Sequence, residues 1–224
     1  MRKYVTEFIG TFGLVFTVGC ALFSGTPLAP LAIGSALMVM VYAGGHISGG
    51  HYNPAVTLGV FLRGKVPLTD AGPYWVAQFI GAFLAAWPAR FTVHPDVVHT
   101  LSISGAHAIV AAVLAEFFFT FALVYVVLNV ATSKDQPGNQ FFGLAIGFTV
   151  VTGVAAVGSI SGGAFNPAVA FGAMLMGLIN WGDFYIYLIG NLLGGALAAV
   201  AFRYLNPDDV LEGPLARRAQ PPQP

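Results

Sequence analysis

Two segments of this chain carry its most chemically informative side chains. They are His46-Ile47-Ser48-Gly49-Gly50-His51-Tyr52-Asn53-Pro54-Ala55-Val56 and Ser159-Ile160-Ser161-Gly162-Gly163-Ala164-Phe165-Asn166-Pro167-Ala168-Val169. In each, a glycine pair breaks a helix and Asn-Pro-Ala starts another. Proline suits the first helical position because it has no N–H to leave unsatisfied, and asparagine is a favoured cap just before it. The apolar stretches that follow, Val56–Phe61 and Val169–Met176, are too short to cross a bilayer and read as half-helices. Their N-termini would concentrate the positive ends of two helix dipoles, which repel cations and protons. Asn53 and Asn166 can offer side-chain N–H donors to the oxygen of a neutral molecule, while the glycine stretches expose carbonyl acceptors. Such chemistry binds and passes a neutral solute without breaking a bond.

Glu7 and Glu116 are ionisable residues inside apolar stretches, which is costly unless they are paired or functional. Proton relay is one reading and internal hydrogen bonding another. His46, His51, His94, His99 and His107 match no metal-ligand spacing, so no metal or other cofactor is expected; packing or pH-sensitive gating suits them better. The chain lacks Gly-x-Ser-x-Gly, His-Glu-x-x-His and paired intramembrane aspartates, so enzymatic function has little support. Cys20 is the one cysteine and reads as a small buried residue.

The elements that must hold these residues are apolar. Of the 224 residues 57% are hydrophobic and only 8% charged, with a mean hydropathy of +0.78. A soluble domain carries about 25% charged residues, so the chain reads as an all-α integral membrane protein. Zero net charge gives no reason to expect a nucleic-acid partner. Six stretches of spanning length run over about 4–23, 28–45, 74–91, 108–131, 141–157 and 184–204. The first follows Met1-Arg2-Lys3 like a signal peptide but has no convincing cleavage site, so it reads as a retained span.

The halves, about 4–91 and 108–205, repeat. Leu31-Ala32-Ile33-Gly34 returns as Leu144-Ala145-Ile146-Gly147, Asn53 as Asn166 and Gln78 as Asn191, each pair 113 positions apart. With three spans per half the second copy must enter the membrane inverted, and the two motifs must dip in from opposite faces. An N-terminus on the cytoplasmic side places eight of the nine basic residues there, against Arg90 opposite. One channel domain over 1–205 is expected, followed by a disordered cytoplasmic tail over 206–224.

Two Asn-Pro-Ala motifs in register within such a repeat resemble the aquaporin family of membrane channels, the major intrinsic proteins. The resemblance covers nearly the whole chain, from Glu7 to about Phe202. It implies six transmembrane helices plus two re-entrant half-helices, assembled as homotetramers with one pore per subunit in the lipid bilayer. Pore-lining carbonyls would be those of Gly49, Gly50, His51, Tyr52, Gly162, Gly163, Ala164 and Phe165. Glu7 and Glu116 would hydrogen-bond the re-entrant loops and hold them in place.

The chain departs from the family at Val169, where most members carry an arginine that narrows the outer pore and repels cations. The resemblance maps the rest of that constriction onto Ile33, Val154 and Gly163. An aliphatic ring without fixed charge should be wider and less polar, broadening passage to small neutral solutes: water, glycerol, urea, ammonia and metalloid hydroxides such as arsenite. Arg90 or another distant cation could instead swing into the vacated space, as the long third connection permits. The rival class is a coupled secondary transporter using Glu7 and Glu116, which also employs inverted repeats and broken helices. Short termini and the absence of a eukaryotic sorting signal suggest a bacterial inner membrane, with both termini cytoplasmic.

Overall fold

The computed structural model describes residues 1–209; the greater part of the expected tail, 210–224, lies outside the described residues. Six helices are long and apolar enough to cross a membrane. They are α1 (Arg2–Phe23), α2 (Ala29–Ser48), α4 (Leu68–Val93), α5 (Ala106–Thr132), α6 (Phe142–Ser161) and α8 (Phe184–Leu205). Between them lie the short helices α3 (Pro54–Arg63) and α7 (Pro167–Leu175), of 10 and 9 residues. At a rise of about 1.5 Å per residue each reaches roughly half-way through an apolar core about 30 Å thick.

The short helices begin where the sequence requires. Asn53 accepts the Ala55 N–H on its side-chain oxygen at 2.8 Å, and Asn166 accepts the Ala168 N–H at 2.9 Å. Proline follows each cap as the first helical residue. α3 stops at Gly64, whose φ of 89° is left-handed and lets the Lys65 N–H reach back to the Val60 carbonyl at 3.1 Å. α2 and α6 end alike, on Gly49 and Gly162 at φ 90° and 87°.

Close crossings recur in matching fashion, one between the halves and one within each. α2 meets α6 at Gly34 and Gly147, where a Cβ on either glycine would sit 2.5 Å from the other's carbonyl oxygen. α1 crosses α4 at Gly81 and α5 crosses α8 at Gly194; there a Cβ would lie 2.7 Å from the Phe8 carbonyl oxygen and 2.5 Å from that of Phe117. Lipid gives no hydrophobic drive between helices, so backbones that approach this closely gain dispersion contacts that larger residues would forbid.

Two expectations need correction. α4 starts at Leu68, six residues before the expected Tyr74, because Asp70 in its first turn is neutralised by Lys3 at 2.5 Å and accepts the Tyr4 hydroxyl at 2.8 Å. Residues 206–209 are held to the body of the protein as a turn. The Asp209 carboxylate meets Arg63 at 2.5 Å and accepts the Lys134 N–H at 3.2 Å, while Lys134 Nζ donates to the Asp208 carbonyl at 2.6 Å. Arg63 is fully buried, its guanidinium 4.8 Å from the centre of the Phe202 ring. Burial alone would raise the Asp209 pKa, but the Lys134 N–H, Arg63 and the nearby Lys65 together hold it below the usual carboxylate value.

Candidate functional site

The left-handed residues that precede the half-helices shape the site. Gly49, Gly50 and Tyr52 all have positive φ, as do Gly162, Gly163 and Phe165. Tyr52 and Phe165, at φ 50° and 48°, occupy a region that side chains other than glycine seldom enter, so the surroundings must hold them there.

Glu7 and Glu116 do so. Glu7 Oε1 accepts the Ser48 hydroxyl at 2.7 Å and the His51 N–H at 3.0 Å, while Oε2 accepts the Tyr52 N–H at 2.6 Å and Gln78 Nε2 at 2.8 Å. In the second half Glu116 Oε1 accepts the Ser161 hydroxyl at 2.7 Å and the Ala164 N–H at 3.0 Å, and Oε2 accepts the Phe165 N–H at 2.7 Å. Both carboxylates are fully buried. Each is therefore placed as a multidentate acceptor for a re-entrant loop, with its oxygens engaged by donors of this same chain.

The two loops also lock onto each other. Asn53 Nδ2 donates to the Phe165 carbonyl and Asn166 Nδ2 donates to the Tyr52 carbonyl, each at 2.8 Å. Each amide nitrogen keeps a second hydrogen beyond this bond.

A cavity of about 430 Å³ runs past this junction. Its lining repeats as the sequence does: Ile33 with Ile146, Leu37 with Val150, and Asn53 with Asn166, each pair 113 positions apart. Ile33, Val154, Gly163 and Val169 all lie on its wall, and among the described residues no phenylalanine, tyrosine or tryptophan lines it. The polar contribution comes from the loop backbones, His51, the two asparagines and, at one end, His99 and Ser159.

Five of the eight residues whose carbonyls were expected on the wall line the cavity: Gly50, His51, Gly162, Gly163 and Ala164. Gly49 lies at the helix end, off the wall. The carbonyls of Tyr52 and Phe165 serve instead as acceptors for the opposite asparagine, and both side chains are buried away from the cavity. The Tyr52 ring fills the space left by Gly10 and Gly44; that of Phe165 packs over Gly153 and Phe119. Arg90 is absent from the wall: its Nη1 approaches the carbonyl of Met176, at the end of α7, at 3.4 Å. His46 is exposed, whereas the buried His51 sets Nδ1 3.0 Å from Thr57 Oγ1. No group of histidine, cysteine or carboxylate side chains that could hold a metal occurs among the described residues.

Several supporting residues escaped sequence reasoning. Tyr74 donates its hydroxyl to the Ser48 carbonyl at 2.7 Å and Tyr187 to that of Ser161 at 2.5 Å. Tyr74 and Tyr187 are 113 positions apart, as are Ser48 and Ser161, so extending the repeat alignment would have found them. Trp75, which donates to the Pro54 carbonyl at 3.1 Å, has no such signal.

Comparison with known proteins agrees with this architecture. The family model for major intrinsic proteins matches residues 1–202. The probable aquaporin TIP2-2 of Oryza sativa subsp. japonica is 38% identical over 221 residues, covering 92% of this chain and 87% of that protein. Aquaporin NIP2-1 of the same plant is 36% identical, covering 93% and 72%. Among solved structures, the aquaglyceroporin from Plasmodium falciparum superposes with a TM-score of 0.77 at 23% identity, covering 94% of this chain and 99% of that one, which speaks for the fold alone.

Proposed function

The chain belongs to the major intrinsic protein family, and from that premise we propose that it passes small neutral solutes as well as water through an aliphatic pore without an arginine. The family is one of membrane channels for water or small solutes and not of enzymes. The observation that carries the finer reading is the cavity wall: Ile33, Val154, Gly163 and Val169 contribute neither a charge nor an aromatic ring. A solute there keeps a polar track of loop carbonyls and asparagine amides on one side and meets hydrocarbon on the other. Without a fixed guanidinium, discrimination falls to shape and desolvation, which favours molecules such as glycerol, urea, ammonia or neutral metalloid hydroxides over ions.

The half-helix N-termini of α3 and α7 meet at the asparagine pair, leaving dipolar repulsion as the barrier to cations. Coupled transport finds no supporting feature, since the carboxylate oxygens of Glu7 and Glu116 are taken by loop donors. We place both termini on the cytoplasmic side from the distribution of basic residues, and take the assembly to be a homotetramer from family membership. The relatives compared are plant proteins, which gives no support to a bacterial inner membrane; the placement kept is an integral membrane one.

The test is stopped-flow light scattering of proteoliposomes exposed to glycerol or urea. Shrinkage followed by reswelling faster than in empty vesicles is expected. Fast shrinkage without reswelling would leave a water-selective channel and defeat the broader reading.

A further inference from the structure

The connection between α4 and α5 crosses back over one end of the pore. It is pinned there by a short run of hydrogen bonds. Thr100 Oγ1 donates to the Gly177 carbonyl at 2.7 Å, the Leu101 N–H donates to the Leu178 carbonyl at 2.9 Å, and the Leu101 carbonyl accepts the Asn180 N–H at 2.9 Å. Two residues on, the Ile103 N–H donates to Asp183 Oδ2 at 2.9 Å. These bonds fix the backbone immediately after His99, at Thr100, Leu101 and Ile103, and they make the connection part of the cavity wall.

At this end the wall is otherwise apolar, with Leu22, Leu101, Leu178 and Ile179 around it. Among the described residues, His99 and Ser159 are the only side chains there that can hydrogen-bond, and His99 and the deeper His51 are the only ionisable residues that line the cavity. The His99 ring makes no hydrogen bond with any described residue and remains exposed. A polar solute leaving bulk water sheds hydration against leucine and isoleucine before reaching the loop carbonyls. A neutral imidazole can both donate to and accept from such a solute, one ring nitrogen serving each role.

We propose that His99 is a specificity-determining residue of the mouth, contacting solute before the ring of Ile33, Val154, Gly163 and Val169. It replaces part of the hydration lost by strongly hydrogen-bonding solutes and does nothing comparable for those capped with methyl groups. The mouth thus restores some of the polar discrimination that the aliphatic ring gives up. This inference rests on the solute-channel reading above.

The experiment compares urea with N-methylurea, two probes of like chemistry, in proteoliposomes. His99→Ala is expected to lower the ratio of urea to N-methylurea permeability by about three- to tenfold, the effect of one net hydrogen bond. His99→Gln, which keeps a donor and an acceptor, should retain most of the ratio. His94→Ala, on the same connection but off the cavity wall, should leave it unchanged. An unaltered ratio in His99→Ala, an equal change in both fluxes, or a His99→Gln variant indistinguishable from alanine would overturn the proposal. If the unmodified protein passes neither probe, the solute-channel reading fails first, a result separate from any change of ratio.

Discussion

Asn53 reaches across the junction between the half-helices to donate its Nδ2 to the Phe165 carbonyl, and Asn166 returns the same bond to Tyr52, both at 2.8 Å. Each asparagine therefore works in two directions, its oxygen capping its own helix and its amide tying that helix to the opposite loop. A pore built this way keeps its polar centre fixed while solute passes.

Asn53→Ala and Asn166→Ala should each remove a helix cap worth about 0.5–2 kcal/mol and a hydrogen bond worth about 0.5–1.5 kcal/mol. Thermal unfolding in detergent checks the first consequence, a lower midpoint for either variant. Proteoliposome flux checks the second, and undiminished flux in both variants would sever the link between the crosswise bonds and the pore.

Glu7→Gln and Glu116→Gln replace an acceptor oxygen with an NH₂ that faces donors. Each should destabilise the fold by about 1–3 kcal/mol, the cost of leaving a buried polar group unsatisfied, and both should lower flux in proportion to folded protein. A variant that stays fully stable yet loses pH-gradient-driven solute accumulation would instead identify a coupled transporter.

Much of this was legible in the sequence because it is periodic or local. The spans follow from apolar length, the half-helix starts from Asn-Pro, and the inverted arrangement from the 113-residue offset between Asn53 and Asn166. The use of the Tyr52 and Phe165 carbonyls by the opposing asparagines was not, because it arises only where two loops distant in sequence meet. The same holds for the connection that carries His99: it has no periodicity, and its position depends on a bridge between Leu101 and Ile179. Asp209 was hidden by its neighbours, since a Pro-, Asp- and Arg-rich segment reads as solvated and its buried partner Arg63 lies 146 positions away (63 to 209).

Gly34→Ala and Gly147→Ala should disturb assembly of the bundle, because the added methyl carbon would meet a backbone oxygen that cannot rotate aside. A loss of about 1–3 kcal/mol is the expected scale for overpacking. Size-exclusion profiles and unfolding midpoints of the two variants should fall together, as the crossing is reciprocal; a normal profile for both would show that α2 and α6 pack more loosely than described.

The Asp209 carboxyl, held below its ordinary value of 3.8, contributes stability that is fully present above that value and is lost as the pH falls through its lower folded-state pKa. Asp209→Asn should therefore lower the unfolding midpoint at neutral pH by leaving the buried Arg63 charge without its partner, and the difference from the unmodified protein should narrow in strong acid. Equal midpoints at pH 7 would contradict the ion pair.

Val169→Arg tests the central claim most directly, by restoring a guanidinium to a wall that has none. Urea and glycerol permeabilities would be measured in proteoliposomes beside the unmodified protein, with water permeability as the internal reference. An added barrier of about 1.4 kcal/mol lowers solute flux tenfold, and a drop of at least that order with water flux largely kept is the predicted result. Solute and water permeabilities both unchanged by the substitution would contradict the account, because the ring containing Val169 would then not be what the solute meets.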